Sequence, residues 1–529
     1  MSKVNLLLVG VLTVAVSATA GTSYVIETGK PKQTIRHFGA SDCWSMWQIG
    51  KWDADRQKQV ADWLFSLKVD KEGRPFGIGI SLWRFNLGAG STEQGDASQI
   101  DRWTRTECLL SPDGSWNWEK QRAERNFLKL AKVRGVPHFL AFCNSAPVQF
   151  TENGLATNTG RDDSMNLRDD CYDDFADYIA KAVKGVEKRD GVKFDYVSPV
   201  NEPDGHWNWH GPKQEGSPAY DVQIARLARE LDKALSVNGV KAKILLNEAS
   251  DYRCLVGTHQ TDERRGYHFR HFFGERGGDT DVASLPNVLK VMAGHSYWSN
   301  TPVQFMREMR IKVRDEATKY GVKFWQTEYC IMGNDEEIGG GGGYDFTMKT
   351  ALYVARLIHH DLCFADAESW SWWRAAGGDY KDGLLRVYAK EGMEDGRAVD
   401  SKMLWTFGNF SRFIRPGAVR YEISVRNEDG SVKDEGWNEP YGVMCSAYRN
   451  SGGRWCVVAI NYSADTRRID LRLDSRKQVK WRCYRTSDEK DENLKPIGFM
   501  ANEIDLPPRS VTTLLESAGD SPQRGVRGR

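Results

Sequence analysis

Eight short apolar runs, each followed by a longer amphipathic stretch, occupy residues 35 to 415 and constrain this fold more than any other feature. The runs are Ile35–Ser41, Gly79–Leu87, Pro137–Ser145, Phe194–Pro203, Lys243–Ser250, Leu289–Trp298, Lys323–Tyr329 and Glu368–Trp373. Helix-like segments such as Gln57–Leu67, Ala123–Val133, Tyr172–Val186, Asp221–Leu235 and Pro302–Tyr320 separate them. Strands this apolar must be covered on both faces, which predicts a parallel sheet under helices. Eight such units favour a closed (β/α)8 TIM barrel with enlarged loops over an open doubly wound sheet. No Gly-x-Gly-x-x-Gly follows the first run, which further weakens a dinucleotide-binding reading.

After Pro416-Gly417 the pattern changes to short strand-like runs without intervening helices: Tyr421–Arg426, Val443–Tyr448, Trp455–Tyr462, Arg468–Leu473, Val479–Tyr484 and Val511–Leu515. This predicts an antiparallel β-sandwich over 416–516. A strand within residues 21–34, centred on Ser23–Glu27, is expected to join it. Residues 517–529 carry almost no apolar side chains and are expected to fray. At the other end, Met1–Ala20 has the form of a cleaved signal peptide: Lys3, an apolar run Val4–Val16, then Ala18-Thr19-Ala20. A secreted or periplasmic, monomeric protein is therefore expected. Its apolar run is too short to span a membrane comfortably.

Charge excludes two classes of partner. Lys and Arg number 73 and Asp and Glu 72, a net charge of +1. Such a balance offers no general attraction for nucleic acid or an anionic membrane. The ten Cys show no paired or zinc-like spacing and the ten His no His-Glu-x-x-His, so neither a metal nor a cofactor is expected. Cys143 and Cys330 read as small core residues. Composition points elsewhere: 19 Trp is a large number, and flat apolar indole faces match the C–H faces of sugar rings.

In a barrel the chemistry sits where strands end. Arg84 and Asn86 end the second run, Asn144 the third, and Asn201 with Glu202 the fourth. Asn247 and Glu248 end the fifth, His295 and Tyr297 the sixth, Glu328 the seventh, and Trp370 and Trp372 the eighth. Two carboxylates stand out: Glu202 in Asn-Glu-Pro and Glu328 in Gln-Thr-Glu-Tyr, three strands apart. Glycoside hydrolysis needs such a pair, one protonated and one ionised. Trp207, Trp209, Trp298, Trp370, Trp372 and Trp373 cluster after the fourth, sixth and eighth runs, with Trp44 and Trp47 after the first. Some are candidates for sugar stacking, while strand alternation should turn others against the helices. Gly339–Gly343 lacks the Gly-Lys-Ser/Thr ending of a phosphate loop and reads as a mobile hinge beside the cleft. The sequons at Asn409 and Asn461 read as incidental.

Asn201-Glu202-Pro203 and Glu328 resemble the catalytic pair of clan A glycoside hydrolases. His37–Ser41 (HFGAS), Trp83–Gly88 (WRFNLG), His295–Trp298 (HSYW) and the terminal sandwich together resemble glycoside hydrolase family 30. Asn201–Trp209, Gln214–Tyr220 and Trp325–Tyr329 are most similar to its endo-β-1,6-galactanase-like branch. The resemblance implies that Glu202 is the general acid/base and Glu328 the nucleophile. Arg84 would hold Glu328 ionised, and Asn201 would bond the sugar 2-hydroxyl. Tyr297 or His295 could orient Glu328, although Arg84 as a structural ion pair and His295 as a satisfied rim histidine stay open. Asn144 and Glu248 are evenly placed between substrate contact and loop capping. The chain departs from that branch where Asp204-Gly205-His206 separate the triplet from Trp207, which bears on linkage preference. The implied activity is retaining endo-hydrolysis of β-1,6-galactan, such as arabinogalactan side chains. The alternatives are β-1,6-glucan, xylan or glucosylceramide-like substrates, or a non-catalytic carbohydrate-binding barrel.

Overall fold

The structure, a computed structural model, describes residues 22–208, 214–333, 335–426, 431–434, 439–476 and 478–517. The proposed signal segment, Trp209 and the tail beyond Ser517 lie outside the described residues.

The opening strand β1 (Thr22–Thr34) is followed by one strand from each apolar run: β2 (His37–Ser41), β3 (Leu82–Asn86), β4 (His138–Phe142) and β5 (Tyr196–Ser198). The ring continues through β6 (Lys243–Ala249), β7 (Val288–His295), β8 (Lys323–Glu328) and β9 (Ser369–Gly377). Each pairs in parallel with the next, and β9 pairs with both β8 and β2, closing the barrel. Four aromatic rings plug the bottom. His37, His138 and Tyr196 open their strands, and Trp325 stands edge-on to His37 and Tyr196 at 4.5 and 5.0 Å. With the bottom filled, a ligand can enter only at the end where the strands stop.

Helices Ala54–Phe65, Arg122–Val133, Tyr172–Asp190, Asp221–Asn238, Val303–Tyr320 and Met348–Phe364 cover the ring. Three of them stop at a glycine in the left-handed region, Gly191, Gly239 and Gly321, which leaves the strand-bound chain free to reverse. Two short strands, β10 (Gly383–Ala389) and β11 (Gly396–Val399), extend the sheet from β9. The sequence pattern did not separate them from the loop.

The second sheet contains β12 (Val419–Arg426), β13 (Val432–Asp434), β14 (Val443–Arg449), β15 (Trp455–Asn461) and β16 (Arg467–Leu473). It also contains β17 (Trp481–Thr486), β18 (Lys495–Met500), β19 (Glu503–Leu506) and β20 (Ser510–Glu516). β1 joins it between β12 and β16, antiparallel to the first and parallel to the second. The strands run as one hydrogen-bonded path that folds over a single apolar core, so the two layers are continuous. The pattern missed β18, which carries Pro496 and Gly498 and lies half-buried at the sheet edge, and β19, which has only four residues.

Helix Lys402–Ser411 wedges the sheet against the barrel, and Asn409 and Thr513 exchange two hydrogen bonds across the joint at 2.9 and 2.7 Å. The amide of Asn461 is likewise spent on three backbone carbonyls, so both sequon asparagines are buried structural residues. The Gly339–Gly343 run is not the expected free hinge. Lys381 donates to the carbonyls of Gly340 and Gly342, and a Cβ on Gly341 would lie 2.1 Å from the Tyr380 ring. None of the ten cysteines forms a disulfide among the described residues, and nine are buried.

Candidate active site

At the open end of the barrel the chain is bent to aim polar groups inward. Glu202, Trp207, Glu248, Gln260 and Trp298 all have φ between 47° and 58°, a left-handed backbone that costs non-glycine residues free energy. Glu202 is fixed by its own backbone, since its N–H donates to the Glu248 carbonyl at 2.8 Å and its carbonyl accepts from the Trp207 indole at 2.9 Å. Loop is stitched to loop by Asp204, which accepts from the amide and hydroxyl of Ser250 at 2.8 and 2.6 Å.

The two expected carboxylates converge. One oxygen from each of Glu202 and Glu328 and one ring nitrogen of His295 lie within 4.8 Å of one another. Glu328 accepts from the Arg84 guanidinium and from the Tyr297 hydroxyl, each at 3.0 Å. Arg84 is completely buried, 4.5 Å from the Phe142 ring centre. His295 bridges the acids: Nδ1 is 2.9 Å from Glu202 and 3.5 Å from Glu328, and Nε2 is 3.2 Å from Glu248.

Charge explains why the acids differ. Burial pushes the Glu202 carboxyl up to about 7 against the hydrogen bond from His295. Burial would lower His295, but the surrounding carboxylates, Glu328 foremost, raise it to about 10, so it is an imidazolium. Glu248 is buried too, yet Arg84, His295 and Thr327 outweigh burial and draw it down to about 2. Two cations, Arg84 and His295, therefore face the carboxylates of Glu248 and Glu328, and the fifth group, Glu202, holds its proton up to about pH 7. Glu202, His295 and Glu328 could offer three ligand atoms to a cation, but a protonated imidazole has no lone pair to give.

A cleft of about 810 Å³ opens over the pair. Tyr297, Trp298, Trp207 and Trp373 line it; Trp298 is 53% exposed, the others are buried at its wall. Four aromatic expectations are corrected. Trp370 and Trp372 are fully buried: their indoles donate to Asp361 and to the Asp382 carbonyl, because alternate residues of β9 point to the helices and Trp373 points to the cleft. Trp44 packs edge-on behind Trp373 at 5.4 Å and does not line the cleft. Trp47 lies in a separate cavity. Asn144 and Asn201, both buried, line a smaller pocket together and do not line the main cleft. Asn86 donates to the Phe142 carbonyl and is structural.

Sequence reasoning overlooked the far wall: Asp251, Arg253, His259 and Gln260, on the loop after β6, and Met332 after β8. Their only signal was the polar Asp-Tyr-Arg that follows a strand already ending in Asn-Glu.

A parallel barrel with an acid whose proton is held by burial facing a carboxylate bonded to an arginine, at the rim of an aromatic cleft, defines an enzyme that hydrolyses glycosidic bonds. The comparisons specify which. The chain belongs to O-glycosyl hydrolase family 30, whose profile matches residues 21–388. An endo-β-1,6-galactanase of Hypocrea rufa is 24% identical over 378 residues, covering 68% of this chain and 69% of the relative. The glucuronoxylanase XynC of Bacillus subtilis is 22% identical over 309 residues, covering 58% of this chain and 56% of that one. Among solved structures, a conserved exported protein from Bacteroides fragilis superposes with TM-score 0.85 at 34% identity, over 93% of this chain and 100% of that one. An endo-β1,6-glucanase shares the fold at TM-score 0.65 and 17% identity, over 95% of this chain and 96% of that one.

Proposed function

We propose that this glycoside hydrolase is an exported retaining endo-enzyme that cleaves β-1,6-linked galactan by double displacement. The observation that carries the mechanism is the approach of Glu202 and Glu328 to within 4.8 Å. A retaining pair stands about 5–5.5 Å apart, whereas an inverting pair needs about 6.5–9.5 Å to admit a water. Glu328, ionised beside Arg84 and Tyr297, attacks the anomeric carbon and forms a glycosyl ester. Glu202 gives its proton to the departing oxygen, then takes one from the water that cleaves the ester. Once Glu328 is esterified its charge is gone, and Glu202 ionises more readily, as a base must.

The substrate rests on lighter support: the galactanase relative, the neutral chain and the aromatic rim. The segment Met1–Ala20 supports export. A panel of β-1,6-galactan, β-1,6-glucan and xylan, with products followed by size and by proton NMR, tests the reading. Galacto-oligosaccharides appearing first as the β-anomer are expected. Cleavage of another polymer alone removes the substrate assignment, and an α-anomer first removes the mechanism.

A further inference from the structure

The cleft is lopsided, and its long side has no role in the chemistry so far. Around the ring, Glu328 at the end of β8 and Trp373 in the middle of β9 mark one end; Glu202 after β5 and the segment after β6 mark the other. The sugar attacked by Glu328 must lie at the first end, against Trp373. The bond that breaks then points toward the proton on Glu202, and the leaving sugar lies beyond it. There the cavity is lined by Arg253, His259, Gln260 and His206.

Two of these groups, Arg253 and His206, are held by carboxylates. Asp251, itself buried, accepts from the Arg253 amide at 2.8 Å and from its Nε at 3.0 Å, and a further guanidinium nitrogen completes the fork. His206 is fixed through Nδ1 on Asp163 at 2.7 Å, and Asp163 is fixed by Arg265 at 2.7 Å. Gln260 adopts φ 54°, so the tip of the loop is bent toward the cleft. Arg253 is a cation whose charge is already matched by Asp251. Such a pair hydrogen-bonds hydroxyls without selecting for a carboxylate.

We infer that Arg253, positioned by Asp251, and His259 form the binding subsite for the leaving group and select a neutral, hydroxyl-rich sugar there. The inference rests on the proposed hydrolytic mechanism. A site that hydrogen-bonds a sugar loses affinity for it when a donor is removed, while a leaving group that makes no such bond is less affected.

The test compares two substrates with the same glycone: an oligosaccharide that the wild-type enzyme cleaves and the corresponding nitrophenyl β-glycoside. Arg253→Ala and His259→Ala should each raise the ratio of kcat/KM for the aryl glycoside to that for the oligosaccharide about tenfold. Each should also lower, by a similar factor, the fraction of glycosyl-enzyme that transfers to added sugar instead of water. Arg253→Lys, which keeps the charge and loses the fork, guards against misfolding and should show a smaller rise in the same direction. An unchanged ratio in folded variants overturns the inference and leaves the mechanism standing. A wild-type enzyme that cleaves no β-glycan removes the proposed function and the inference with it.

Discussion

Two buried charge clusters sit within the same barrel and are built differently. Behind β9, Asp361 accepts from Arg310 at 2.9 Å, Tyr252 at 3.1 Å and Trp370 at 2.8 Å. Arg310 spends its remaining donors on Ser299, Met306 and Asn300. Every charge there has a partner, and neither Arg310 nor Asp361 lines the cleft over Glu202 and Glu328. At the rim, Arg84 approaches Glu248 only to 3.8 Å, and Glu248 Oε1, Arg84 Nε and Asn201 Oδ1 make no hydrogen bond. A buried polar group without a partner costs about 1–3 kcal/mol. The rear cluster is a solved packing problem, whereas the rim is held in tension, with an acid that ionises only near pH 7 and backbone in the left-handed region. That contrast separates charge kept for structure from charge kept for reaction.

The sharpest way to break this distinction is to remove one acid from each cluster. Glu328→Gln should lower kcat about 10⁴-fold, because no other group can form the glycosyl ester. Its melting temperature should move less than that of the rear variant, since Arg84 and His295 still face Glu248. Asp361→Asn should do the reverse: it leaves the Arg310 charge uncompensated and should cost about 3–5 kcal/mol of stability. Its kcat, measured well below the melting temperature, should stay within about twofold. Thermal melts and steady-state kinetics on both variants check the pair. A rear variant as inactive as the rim variant at unchanged stability would erase the comparison.

A smaller effect tests how the rim holds its nucleophile. Tyr297→Phe removes one of two side-chain donors to Glu328 and keeps the ring against Tyr329, 5.6 Å away. A hydrogen bond to a charged group is worth about 1.5–3 kcal/mol, so kcat/KM should fall about 10- to 100-fold with the melting temperature nearly unchanged. A fall below twofold would mean that Arg84 alone positions the carboxylate.

The barrel was legible because eight apolar runs leave few alternatives, and the convergence of Glu202 and Glu328 because strand ends map onto one face. Burial was not legible. Trp370 and Trp372 stand in the same Trp-Ser-Trp-Trp as Trp373, and only the phase of β9 decides which indole faces the cleft and which meets Asp361. Arg310 and Asp361 lie 51 residues apart on two amphipathic helices, where each reads as surface charge. The rim pair His295 and Glu248 was visible as two strand-end residues, but not as one proton-sharing unit, because their sequence separation carries no sign of contact. The far wall was hidden for a similar reason: loop residues such as His259 and Gln260 follow no period.

The finest test reads the proton itself. Because burial holds Glu202 near 7, kcat/KM for sugar leaving groups should fall about tenfold per unit once pH rises past about 7. An aryl glycoside, whose leaving group needs no proton, should lack that limb. His295 lowers Glu202 through its hydrogen bond and its charge, so His295→Gln should carry the limb to higher pH; a limb that stays or moves down would detach the histidine from the acid. Stability follows the same groups with definite signs. Glu202 stands at about 7 in the fold against about 4.3 unfolded, so the folded form binds the extra proton and this group costs stability as pH climbs through that window. His295, at about 10 against about 6.5, contributes fully below 6.5 and is lost as pH rises toward 10. Glu248, at about 2 against about 4.3, contributes above 4.3 and is lost only as pH drops toward 2. Two of the three rim groups therefore weaken the fold on the alkaline side. Melts from pH 5 to 9 should decline less in His295→Gln than in the parent, because the substitution removes a proton-linked group whose contribution fades across that range.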